Sequence, residues 1–152
     1  MKKYSIKQIR FDRLARLAKF LQKVPREKFD LDYWVAEQKE PPTQPNCKCD
    51  TVACAIGWAG VLFSKQGLKI EMSSSGYCFS PHYRKRENWG AVYRFFGLED
   101  VEHAICEMDS DGWKLFSSDH YPDNATPKMV ARRILNFIAR KKKELRKLKT
   151  KA

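Results

Sequence analysis

No apolar run in the chain approaches the roughly 20 residues that a membrane-spanning helix requires, so no membrane partner is expected. The opening segment Met1-Lys2-Lys3-Tyr4-Ser5-Ile6-Lys7-Gln8 is basic but leads into charge instead of an apolar stretch. It does not read as a secretory signal, and a cytoplasmic location is expected. Catalytic signatures are missing as well: there is no Gly-rich loop to cradle phosphates, no paired-carboxylate motif and no G-x-S-x-G elbow. Without an internal repeat or a long low-complexity stretch, nothing argues for a solenoid or a detached domain. Cysteine is sparse and odd in number, five in all, which points to reduced thiols rather than a disulfide framework.

Acidic residues are also scarce, 18 against 30 Lys and Arg, leaving a formal charge of +12. Eight basic residues and one acid, Glu144, lie between Arg140 and Lys151, so +7 of that charge is a property of the tail. At 152 residues, with 43% hydrophobic and 12% aromatic content, the chain is long enough for one globular domain with a real core. The division expected is a helical body over 1–139 and a basic helical extension over 140–152.

Apolar Leu14, Leu17, Ala18, Leu21 and Val24 recur at three- and four-residue spacings among Arg10, Arg13, Arg16, Lys19 and Lys23. This pattern predicts an amphipathic helix from Gln8 that ends before Pro25. A short helix over 26–29 and a docked aromatic pair, Tyr33 and Trp34, should pack back on it. The prolines at 41, 42 and 45 make 40–46 an exposed loop. Asp50 or Thr51 can cap a helix over 52–63 that is apolar on nearly every side. Its small residues Ala53, Gly57 and Gly60 form a strip on which another helix can pack closely. Alternation over 68–72, the turn Ser73-Ser74-Ser75-Gly76 and the segment 77–79 predict a small hairpin. Further helices follow: one capped by Asn88 and ended by Gly97, one over 100–108, and a last one opened by Thr126 and Pro127 that buries Val130, Ile134, Phe137 and Ile138. The segment 109–124 reads as irregular, anchored by Trp113, Leu115 and Phe116. The fold class expected is therefore mainly α, with a minor hairpin.

Two kinds of chemistry deserve testing. Cys47, Cys49 and Cys54 give C-x-C-x4-C, three soft ligands that can converge on a structural zinc if His103 or Cys106, three apart on one helix face, completes the set; Cys78, His82 and His120 are the other candidates. A thiolate at a helix N-terminus is a second reading of Cys54, but no histidine is marked as its base. The bland alternative is a small buried core residue. Asp109-Ser110-Asp111-Gly112 lacks the later ligands of a calcium loop and reads as a turn. The basic clusters point instead to phosphate contacts: Arg84, Lys85 and Arg86 after His82 and Tyr83 in a loop, the ridge Arg10, Arg13, Arg16 and Lys19, and the tail residues Arg140, Lys141, Lys142, Lys143, Arg146, Lys147 and Lys149. They share one surface only if the first and last helices lie side by side.

The segment from Cys49 to Ala59 resembles the core of a family of small, largely uncharacterised proteins from phages, prophages and bacteria, whose shared motif is C-G-T-x-x-C-x-x-G-[WH]-A. Cys49, Thr51, Cys54, Gly57, Trp58 and Ala59 match it, Asp50 replaces the motif's glycine, and Trp34 stands for the aromatic that precedes it. Phe95-Phe96-Gly97-Leu98, Leu115-Phe116 and Thr126-Pro127 look like the later landmarks. The resemblance implies a compact, mainly helical phage-type accessory protein and transfers no catalytic residues; the Lys-rich end lies outside the shared pattern. Three functions are therefore expected in order: binding of nucleic acid or a nucleoprotein complex without catalysis; docking on a host or phage protein, as an inhibitor of a host defence nuclease or a virion component would; and a zinc- or thiol-dependent enzyme.

Overall fold

The computed structural model describes residues 6–35, 52–98 and 110–151. Among them are five α-helices, α1 (Phe11–Leu21), α2 (Ala55–Leu62), α3 (Asn88–Phe96), α4 (Asp111–Phe116) and α5 (Pro127–Thr150), and three strands, β1 (Lys69–Met72), β2 (Phe79–Tyr83) and β3 (Arg86–Glu87). The fold is mainly α with a small antiparallel sheet in the order β1-β2-β3. No helix of the described residues is long and apolar enough to cross a membrane.

Leu14, Leu17, Ala18 and Leu21 bury one face of α1, as their spacing predicts. That face lies chiefly against α5, whose buried residues include Val130, Ala131, Ile134, Phe137 and Ile138. The first and last helices are thus neighbours. Thr126 caps α5 as expected, its Oγ1 accepting from Met129 N at 3.2 Å, with Pro127 at the first helical position. α5 then runs unbroken to Thr150, so the basic segment after residue 139 continues the same helix. Arg133 ties α4 and the turn after it to α5: it donates to the carbonyls of Lys114 (3.2 Å) and His120 (2.6 Å) and lies 3.7 Å above the Tyr121 ring. Burial pushes the Tyr121 phenol well above its ordinary pKa, with Arg133 opposing the shift, and its hydroxyl donates to Leu115 O at 2.6 Å.

α2 is buried all round, with Trp58 inside and its Nε1 donating to Lys28 O at 2.9 Å. It starts later than the sequence suggests. Ala53 is drawn into extended pairing, donating to Lys28 O and accepting from Asp30 N, and the cap is Cys54, its Sγ accepting from Gly57 N at 3.4 Å; the expected caps Asp50 and Thr51 lie outside the described residues. The Gly57 and Gly60 strip meets chain other than a helix. A Cβ on Gly57 would overlap the Trp34 carbonyl, and one on Gly60 would meet Ile70 of β1. Trp34 itself packs tilted against Trp89 of α3, the ring centroids 4.9 Å apart.

Beyond the predicted hairpin the sheet has a third strand. The segment 82–86, read from sequence as a loop, is the end of β2, a two-residue turn and the start of β3, with Tyr83 opposite Arg86. Asn88 does not cap α3: it is the first helical residue, at φ 56°, and no side chain caps that end. Gly97 closes α3 at φ 70°, where Leu98 N reaches Tyr93 O and the Gln8 carbonyl leaves no room for a Cβ. The segment expected to be irregular opens instead with α4, capped by Ser110 Oγ on Trp113 N at 3.2 Å. The predicted loop over 40–46 and helix over 100–108 lie outside the described residues.

Candidate nucleic-acid interface

The β2–β3 turn places Arg84 and Lys85 at its two central positions, with φ of 46° and 64°. Both values are positive, the pattern of a type I′ hairpin turn, which matches strand twist but normally recruits Gly or Asn. An L-residue held there costs roughly 1–2 kcal/mol. The chain therefore holds two exposed cations where uncharged turn residues are easier to accommodate. They border an open groove of about 730 Å³, lined also by Lys69, His82, Glu71 and Glu87. Glu87 is already engaged: Ser74 gives it hydrogen bonds from its hydroxyl (2.5 Å) and its backbone N–H (3.1 Å), and His82 lies 3.8 Å away. Those hydrogen bonds first, and His82 last, hold the Glu87 carboxyl below its usual range.

The α1 ridge divides by role. Arg10 pairs with Asp12 at 3.2 Å, and that hydrogen bond is the main reason the Asp12 carboxyl titrates below its usual value. Arg13 is structural: its guanidinium donates to Phe95 O at 2.7 Å, on the last turn of α3 where the helix dipole favours a cation, and lies 4.0 Å from the Phe95 ring centroid. It also lies 5.8 Å from the ring of Tyr83, while Arg84 lies 5.2 Å from the same ring. Tyr83 thus brings the hairpin tip and α1 together. Arg16, stacked 5.1 Å from Phe63, and Lys19 remain exposed on the outer side of α1.

On α5 the basic residues are equally unequal. Lys141 is largely covered, pairing with Asp111 at 3.6 Å and Glu144 at 3.2 Å, and so ties α4 to α5. Lys142 is exposed and lies 5.7 Å from the Phe11 ring at the start of α1. Arg140, Lys143, Arg146, Lys147 and Lys149 are exposed. α1 therefore meets α5 where Lys142 lies near Phe11, and meets the hairpin where Arg13 lies near Tyr83. Of the sequence candidates, Arg84, Lys85, Arg140, Lys142, Lys143, Arg146, Lys147 and Lys149 stand exposed, Lys141 is committed to internal pairing, and Arg86 is exposed in β3 opposite Tyr83. The bridging role of Tyr83 has no signature in a single sequence, because it depends on which ring lies under which cation.

Cys54 is the one thiol of the proposed zinc set within the described residues; Cys47, Cys49, His103 and Cys106 lie outside them. Its environment is apolar. Burial pushes the thiol up to about 11, outweighing the hydrogen bond from Gly57. Cys78 is exposed, its Sγ 3.8 Å from Ser73 Oγ. Among the described residues no three His, Cys, Asp or Glu side chains are grouped to hold a metal ion.

A different site, one without a sequence motif, lies on the other side of α3. Trp89 packs at a tilt against Trp34, ring centroids 4.9 Å apart, and against Trp113 at 4.6 Å, and the three indoles line a cavity of about 380 Å³. Comparison with protein-family models, with curated proteins and with solved structures gives no match.

Proposed function

We propose that this protein is a non-catalytic accessory protein, of the phage or mobile-element kind that its central motif resembles, and that its basic surface binds nucleic acid or a nucleic-acid-containing assembly. The observation that carries the reading is the shared Tyr83 ring: Arg13 of α1 and Arg84 of the hairpin both border it, and α1 also packs on α5. Arg84, Lys85, Arg16, Lys19 and the exposed cations from Lys142 to Lys149 then supply phosphate contacts along one continuous face. The Arg84-Lys85 turn supports the same reading, since strained cations at a hairpin tip are retained where the charge has a use.

The test is the salt dependence of binding to labelled duplex and single-stranded oligonucleotides. Removing the chain after Ala139 is a poor probe, because it also removes the Lys141 tie to Asp111. Substituting Lys143, Arg146, Lys147 and Lys149 with Gln leaves that tie in place. Each lost phosphate contact should lower the slope of log K against log salt by about 0.9 on duplex DNA, and Arg84→Gln with Lys85→Gln should weaken binding further. Affinity that does not respond to salt, or is unchanged in both variants, sinks the proposal. A protein partner that survives nuclease treatment in a pull-down would favour the docking reading instead.

A further inference from the structure

The indole-lined cavity adjoins a second one of about 480 Å³, and the two share Asp32 and Asp119 in their walls. The second cavity adds Asp30, whose Oδ1 accepts from Asp32 N at 2.9 Å, and Asp123, so four Asp residues and one basic residue, Arg26, are among its described lining residues. Arg26 is turned to the chain, donating to Phe29 O at 3.5 Å. The two cavities thus adjoin at Asp32 and Asp119, one lined by three indoles and the other by four Asp residues, in a chain of charge +12. Its carboxylates are not grouped to share a metal ion. Divided between two adjoining cavities, one of which is lined by three indoles, they suit a cation that is itself extended.

We propose that this cleft binds an alkylammonium group. The methylenes and one ammonium lie against Trp34, Trp89 and Trp113, where indole faces attract cations, and the Asp32 and Asp119 carboxylates accept the ammonium hydrogen bonds. Two sources share this chemistry, a free linear polyamine and a lysine side chain presented by a peptide. The cavity volume suits either. The overall positive charge opposes any diffuse uptake of cations, so saturable binding of one must come from a local site.

The experiment titrates the full chain with spermidine, a linear triamine, and separately with an Nα-acetylated lysine amide, while tryptophan emission is followed at 0.15 M salt. A neutral linear diol of matched length is the control. The expected result is a saturable change with an amine and none with the diol; the tighter of the two amines identifies the source. Asp32→Asn combined with Asp119→Asn, both at exposed positions, should weaken binding at least tenfold while circular dichroism is unchanged. Trp89→Leu should abolish it. No saturation with either amine up to about 10 mM, an equal response to the diol, or undiminished binding in the double Asp variant would each overturn the proposal.

Discussion

The Cys54 thiol accepts a hydrogen bond from Gly57 N at the start of α2, where a helix dipole favours an anion, yet its pKa is pushed up to about 11. Desolvation outweighs the N-terminal position because the side chain is enclosed by core, and the neutral thiol is the form that fits. The sign of the consequence follows. The folded pKa lies above the unfolded value of 9.0, so the folded state holds the proton more tightly; that stability is complete below about pH 9 and is lost as pH rises through about 11. Urea unfolding at pH 7.5 and 10.5 should show Cys54 contributing a loss of about 2 kcal/mol at high pH, absent from Cys54→Ser. A matching loss in Cys54→Ser would mean that other groups drive it. Under native conditions a thiol reagent should label exposed Cys78 and leave Cys54 untouched until the chain unfolds. The sequence placed Cys54 at a helix start and offered an inert core residue among its readings. Which role wins depends on dielectric environment, which no local pattern encodes.

Most of the local signals are legible in the sequence, the Asn88 cap excepted, and the features set by tertiary contact are not. Thr126-Pro127 opens α5 and Gly97 ends α3 because capping is settled within a few residues. The start of α2 was misplaced by three residues, since Ala53 pairs with Lys28 and Asp30, which are distant in sequence. Strand β3 was missed for a related reason: two residues are too few for an alternation, and the I′ turn before it carries Arg-Lys where Asn-Gly would announce a hairpin. The small-residue strip on α2 was correctly read as a close-packing surface, but its partners are the Trp34 backbone and β1. Gly57→Ala is accordingly expected to cost several kcal/mol, about the scale of severe core overpacking, because backbone has to move; urea denaturation would check it. If Gly57→Ala unfolded at the same denaturant concentration as the parent, the Trp34 contact would be looser than described.

For the whole molecule, the charge asymmetry read from composition becomes a division of labour among cations that look alike in sequence. Arg13 and Lys141 are internal fasteners, whereas Arg84, Lys85 and the α5 cations beyond Lys142 are open to a partner. Lys141→Gln should therefore cost about 1–2 kcal/mol in thermal unfolding, as the ion pairs to Asp111 and Glu144 are lost, while Lys143→Gln changes little. Equal shifts for the two would show that the Asp111 contact holds nothing together. Proximity of α1 to α5, the condition for a joint basic face, could be stated from sequence and met only by the fold. The unbroken course of α5 has a further consequence. At 1.5 Å per residue its 24 residues make a rod about 36 Å long, anchored in the core at one end and carrying most of its positive charges at the other. A loose polycationic tail loses chain entropy whenever it engages a polyanion; a rod loses almost none, but it cannot wrap. Its charges arrive already spaced and aimed, so the geometry of the target, more than its sequence, decides how many of them can be used at once.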